Sequence, residues 1–78
     1  MIESLAPLIE SSFEIAWDYL SRTGELDDAM VAGRVLSDAI ASMVRRGERR
    51  RLMLANKAIT VYQQFRRQQS QHTALASA

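Results

Sequence analysis

Apolar residues recur at spacings of three and four in three separate stretches of this chain, which is the pattern of amphipathic helices. The stretches run from about residue 5 to 22, from about 28 to 46 and from about 48 to 67. Short connections between helices make successive helices antiparallel neighbours. The pattern therefore predicts an all-α protein, a compact three-helix bundle with an up-down-up course.

Glycines and acidic residues mark the predicted helix boundaries. Gly24 follows the last periodic residue of the first helix, and Gly47 follows that of the second. Glycine at these positions is typical of helix ends, because it adopts the left-handed backbone conformation without a steric penalty. Asp27 or Asp28 is expected to cap the second helix. The alternative at the second boundary is one continuous helix through Gly47.

Composition and the remaining segment favour a single small domain over residues 1–67. The content of hydrophobic residues is 47% and that of charged residues is 24%, as in ordinary globular proteins. Residues 68–78 are polar and unpatterned, so they are predicted to form a flexible polar tail. The chain contains no cysteine, shows no signal-peptide pattern and has only short apolar runs. These features predict a cytoplasmic protein with no membrane association.

The charge distribution is lopsided. Residues 1–44 carry eight acids against two arginines, a net charge of −6, and residues 45–78 carry eight bases against one glutamate, a net charge of +7. The positive charge is densest in the predicted turn between the second and third helices. The predicted partner-binding residues are the five arginines of that turn: Arg45, Arg46, Arg49, Arg50 and Arg51.

Three interpretations of this arginine-rich turn remain open: a solvated turn, a site for an acidic protein surface, and a site for nucleic acid. The leading hypothesis is a small non-enzymatic interaction module in which the turn engages an acidic protein surface. The alternative is a nucleic-acid-binding accessory protein that uses the same arginines on phosphates. The acidic first half would repel a phosphate backbone, and the broadly apolar third helix leaves few residues to read bases.

Candidate catalytic and metal-binding chemistry is sparse. Glu10, Glu14 and Asp18 form a stripe on the first helix, but helical di-metal sites usually add a histidine, and the only histidine is His72 in the predicted tail. A solvated or salt-bridged face, with Asp18 paired to Arg22, is the preferred interpretation. We therefore predict no catalytic residue, no cofactor, no metal site, no enzymatic activity and no small-molecule substrate.

The apolar arcs of the first and third helices are broader than a lone small bundle hides easily. We therefore predict that the protein associates with itself or with a helical partner. The candidate contacts for self-association are the residues that widen these arcs: Leu8, Ile15, Tyr19, Val61 and Phe65.

One resemblance accompanies this pattern. The spacing of Phe13, Trp17, the turn at residues 24–27 and the segment 47–59 resembles that of short, uncharacterised bacterial helical proteins, over the stretch from Phe13 to Ile59. The resemblance implies a helical fold. It implies no activity and no binding residue.

Overall fold

The protein is a bundle of three α-helices in contact with one another. In this computed structural model, the backbone is described for residues 5–77 and the side chains for residues 5–69. The helices are α1 (Ala6–Arg22), α2 (Ala29–Arg45) and α3 (Arg51–Ser77). Every pair of helices is in contact, and the described residues contain no strand. The prediction of an all-α three-helix bundle is therefore confirmed.

The core lies along the common axis of the three helices. Four residues of α2 that are four positions apart form its inner face, and they are almost completely buried: Ala32, Leu36, Ile40 and Val44. Leu20 of α1 and Leu54 and Tyr62 of α3 close the core from the other two sides. Burial of each large apolar side chain stabilises the fold by about 1.5–3 kcal/mol.

An aromatic pair fills the space between α1 and α2. The rings of Phe13 and Trp17 stack with centroids 5.5 Å apart and an interplanar angle of 18°. They lie over Gly33, where a Cβ atom would be 3.8 Å from the Trp17 ring and 4.0 Å from the Phe13 ring. These are ordinary van der Waals distances, so the glycine is covered without being sterically required.

The first two helix boundaries agree with the sequence pattern to within one residue. Asp28 is the N-cap of α2, and its Oδ1 atom accepts hydrogen bonds from the backbone N–H groups of Met30 and Val31. Gly24 and Gly47 have φ angles of +73° and +105°, so each lies in the left-handed region immediately after a helix. The chain therefore breaks at Gly47, and the alternative of a continuous helix is wrong.

The third helix differs from its predicted range of about 48–67 at both ends. It begins at Arg51 because residues 48–50 form a turn that is held by the Glu48 side chain. It ends at Ser77, so residues 68–77, predicted to be a polar tail, continue α3. An established helix extends at little free-energy cost through residues such as glutamine, alanine and leucine when no proline or glycine intervenes. The assignment of residues 68–78 as a separate flexible segment stays a prediction.

Candidate functional site

The connection between α2 and α3 and the two helix ends beside it carry the five arginines of the predicted binding site, here called the arginine corner (Arg45, Arg46, Arg49, Arg50 and Arg51). Hydrogen bonds over the end of α2 fix its backbone. The N–H of Gly47 donates to the Val44 carbonyl at 3.0 Å, and the N–H of Glu48 donates to the Met43 carbonyl at 3.0 Å. This is the Schellman pattern, which satisfies the last carbonyls of a helix and reverses the chain.

Glu48 holds the second half of the arginine corner. Its Oε2 atom accepts hydrogen bonds from the backbone N–H groups of Arg49 at 3.1 Å and Arg50 at 2.9 Å, and from Nε of Arg50 at 3.0 Å. The side-chain bond from Arg50, followed by the backbone bond from the same residue, lowers the pKa of the Glu48 carboxyl to about 2. This carboxylate therefore stays charged even in acidic solution, and the guanidinium of Arg50 is paired with it.

Arg49 also has a partner within the turn. Its Nη1 atom donates to the backbone carbonyls of Val44 at 2.8 Å and Glu48 at 2.9 Å. A cation at this place suits the negative end of the α2 dipole. Arg49 and Arg50 thus stabilise the turn itself.

The other three arginines of the corner point into solvent. Arg45 and Arg46 lie at the end of α2, and Arg51 is the first residue of α3. All three are exposed, and none forms an ion pair with another residue of the range 5–69. Of the five arginines, only Arg51 lies within α3, so the unfavourable interaction with the positive end of that helix is limited mainly to this residue.

A small cavity beside the corner is lined in part by Lys57, a cation that was not among the predicted binding residues. The cavity has a volume of about 300 Å³ and is lined by Met43, Arg46, Gly47, Glu48 and Lys57. In antiparallel helices, residues equally far from the connection lie at the same level, so Met53 is level with Met43, and Lys57 is one turn further along α3. That relation could have indicated Lys57, but only once the turn had been placed at residues 46–50.

The opposite end of the bundle has its own polar cluster, here called the anchor (Glu25, Asp27, Tyr62, Gln63 and Arg66). Tyr62 Oη donates to the Glu25 carbonyl at 2.9 Å, and Gln63 Nε2 donates to Glu25 Oε1 at 3.1 Å. Arg66 contacts Asp27 at 2.7 Å and Glu25 at 3.7 Å, and the hydrogen bond to Asp27 is the main cause that raises the pKa of Arg66. Part of the charge asymmetry is therefore neutralised here, far from the arginine corner.

The candidate self-association residues divide into two groups by exposure. Leu8, Ile15 and Phe65 are half-buried and pack against the core, whereas Tyr19 and Val61 are 45% and 41% exposed.

The carboxylate stripe of α1 is exposed, and Asp18 pairs with Arg22 at 2.9 Å. Within the described part of the chain, no group of three or more histidine, aspartate or glutamate residues is arranged to hold a metal ion.

The fold and the corner together define a small helical protein with a hydrogen-bonded basic turn. Comparison with known proteins finds no match to this chain among protein-family models, curated sequences or solved structures. The resemblance to short bacterial helical proteins therefore stays a prediction. Among the described residues, no helix combines the length and apolar character that crossing a bilayer requires.

Proposed function

We propose that the protein is a small helical interaction module whose arginine corner binds an acidic surface of a partner protein. The observation that supports the proposal is that the five arginines fall into two groups with different contacts. Arg49 and Arg50 hydrogen-bond within the turn, while Arg45, Arg46 and Arg51 are exposed and form no ion pair with residues 5–69. A turn that is already ordered loses little conformational entropy when it binds, which favours affinity.

The chemistry of the corner suits carboxylates on a protein. Guanidinium groups pair with carboxylates through two parallel hydrogen bonds. The cavity of about 300 Å³ is lined by Arg46 and Lys57, by Met43, and by Glu48, whose carboxylate is already paired with Arg50. It therefore offers two cations and an apolar surface. An aspartate or glutamate side chain of a partner would place its carboxylate between the cations and its methylene groups against Met43.

Nucleic acid is the second candidate, and the same exposed arginines favour it. Phosphate binding would release counterions, so the affinity would fall steeply with salt. The exposed carboxylates of Glu10, Glu14 and Asp38 and the net charge of +1 weigh against a broad phosphate-binding surface. We assign no catalytic step to the protein, and its lack of enzymatic activity stays a prediction.

A pair of matched variants tests the proposal. Arg46→Ala/Arg51→Ala removes two exposed cations from the corner, and Arg22→Ala/Arg34→Ala removes two exposed cations from other surfaces with the same change in net charge. Binding to a fluorescent glutamate-rich peptide and to random duplex DNA and RNA would be measured by anisotropy at low and physiological salt.

We expect the corner variant to bind the peptide about fivefold more weakly, from roughly 0.5 kcal/mol for each exposed ion pair lost. The control variant should bind almost as the unchanged protein does. Equal losses in both variants would show that net charge alone drives binding and would contradict a specific corner. Tighter binding to duplex than to peptide, with a steep salt dependence, would favour the nucleic-acid alternative.

A further inference from the structure

A groove lies at the end of the bundle away from the arginine corner, where α3 continues beyond the connection between α1 and α2. Its volume is about 850 Å³. One wall comes from the start of α2, with Asp28 and Val31, and the other from α3, with Phe65, Arg67 and Gln69. Since α1 ends and α2 begins at this level, α3 forms the projecting side of the groove.

The groove has an apolar part, formed by Val31 and Phe65, beside the anchor residues, whose polar side chains are already paired with one another and also line it. Val31 is 37% exposed and Phe65 is half-buried, and Val61, one helical turn before Phe65, is 41% exposed. Single exposed apolar residues are common on any protein surface. Apolar side chains gathered from two helices into one concave surface are instead typical of a binding interface.

The charges on the two walls are opposite in sign. Asp28 on the α2 wall and Arg67 on the α3 wall are both exposed, and neither forms an ion pair with residues 5–69. Both capping hydrogen bonds of Asp28 go to its Oδ1 atom. A surface with an acid on one wall and a base on the other is complementary to itself under a two-fold rotation, because each acid then meets the base of the other copy.

The spacing of residues along α3 also suits a second helix. The apolar residues Leu54, Ala58, Val61 and Phe65 follow one another at intervals of four, three and four. Intervals of four and three are the signature of helices that pack along one another. Leu54 and Ala58 are buried within the bundle, so the part of this stripe left for a partner begins at Val61.

From these features we propose that two copies of the chain form a two-fold dimer in which α3 of each copy packs into the groove of the other. Val61 and Phe65 of one copy contact Val31 of its partner. Arg67 of each copy pairs with Asp28 of the other. This interface is separate from the arginine corner, which stays exposed at the far ends of the dimer.

Glutamate substitutions at matched pairs of exposed apolar positions test the interface by analytical ultracentrifugation of the full chain. Val61→Glu lies in the interface, and Leu52→Glu is its control, because the two positions are nine residues apart and therefore on opposite sides of α3. Val31→Glu and Met30→Glu form the corresponding pair on α2. Leu52 and Met30 are 65% and 86% exposed, so a charge there is readily solvated.

The unchanged protein should be a dimer whose dissociation depends on concentration. Val61→Glu and Val31→Glu should weaken dimerisation at least about tenfold, since an unpaired carboxylate would be desolvated in the interface. The two controls should remain within about threefold of the unchanged protein. A monomer at high micromolar concentration, or equal weakening by the controls, would overturn the proposal and leave the groove to another ligand.

A charge exchange tests the pairing itself. Arg67→Glu and Asp28→Lys should each weaken the homodimer, because like charges then face each other at both contacts. When the two variants are mixed, both contacts regain opposite charges, so a heterodimer should form in preference to either homodimer. Asp28→Asn, which retains a capping side chain, serves if Asp28→Lys unfolds by circular dichroism, and it should also weaken the dimer.

Absence of a preferred heterodimer between folded variants would contradict this pairing. Arg46→Ala/Arg51→Ala should leave dimerisation unchanged, so failure of the proposed corner function and failure of the dimer are separable.

Discussion

The two helix connections of this bundle share one backbone motif but obtain their remaining hydrogen bonds from different parts of the chain. After α1, the N–H groups of Gly24 and Glu25 donate to the backbone carbonyls of Ser21 and Leu20. After α2, the N–H groups of Gly47 and Glu48 donate to the backbone carbonyls of Val44 and Met43. The two patterns are equivalent, position by position.

The side chains of the two connections differ in where their hydrogen-bond partners lie along the chain. The first connection has local bonds, such as that from Thr23 to Glu25, and is also held by residues of α3 that are 37 to 39 positions away. The side-chain partners in the second connection are at most five positions apart. Long-range bonds at the first connection pair Glu25 and Asp27 with residues of α3. Local bonds at the second connection order the turn and leave three cations exposed, which is consistent with the proposed binding site.

The largest effect is expected from Tyr62, which joins the first connection to the core. Tyr62→Ala should lower the free energy of unfolding by about 3 kcal/mol, because it opens a cavity and leaves the Glu25 carbonyl without its hydroxyl donor. Tyr62→Phe keeps the ring and should lose about 1 kcal/mol. Urea denaturation of both variants measures the difference, and equal losses would mean that the hydroxyl bond carries the whole effect.

Substitution of the turn glycines compares the two connections directly. Gly24→Ala and Gly47→Ala should each destabilise the protein by about 1 kcal/mol, because both residues have positive φ angles. Open space surrounds both positions, so only backbone strain contributes. Denaturation midpoints should shift by similar amounts, and asparagine should be tolerated better than alanine at both sites. A much larger loss at one glycine would contradict the equivalence of the two motifs.

The glycine within α2 should behave in the opposite way and serves as the control for this series. Gly33→Ala should stabilise the protein by about 0.5–1 kcal/mol, since alanine is the better helix former and its Cβ meets the Trp17 and Phe13 rings at contact distance. Thermal unfolding followed by circular dichroism would measure the change. A destabilisation would contradict the finding that a Cβ atom at this position meets the two rings at ordinary contact distances.

The smallest effect is expected when Glu48 of the second connection is protonated at low pH. The folded pKa of Glu48 is lowered to about 2, below its ordinary value of 4.5, so its contribution to stability is complete above about pH 4.5 and is lost as the pH falls through about 2. NMR titration of the side-chain carboxyl would measure the pKa directly. Glu48→Gln should remove this part of the pH dependence, and Arg50→Ala should return the Glu48 pKa towards 4.5. A normal pKa in the unchanged protein would contradict the geometry of the turn.

The features that could be predicted from the sequence are those that depend on residues close together along the chain. Helical periodicity, the glycines after α1 and α2 and the aspartate cap of α2 each act within a few residues, so the three helices and both turns were predictable to within one residue, except at the ends of α3. Helix α3 begins at Arg51 and not at about residue 48, because the Glu48 side chain accepts hydrogen bonds from the backbone of residues 49 and 50. Helical periodicity gives no information on such bonds. The end of α3 was missed because a helix can extend through residues of good helical propensity that carry no apolar pattern.

Only the tertiary structure decided which charges are neutralised and which remain exposed. The sequence showed an acidic half and a basic half, but it did not show that Arg66 pairs with Asp27, or that Lys57 joins Arg46 at the corner cavity. Such pairings depend on the relative rotation and height of the packed helices, which the core of Leu20, Leu36 and Leu54 sets collectively. The physical reason is the distance along the chain: a contact between residues almost forty positions apart exists only once the bundle has formed.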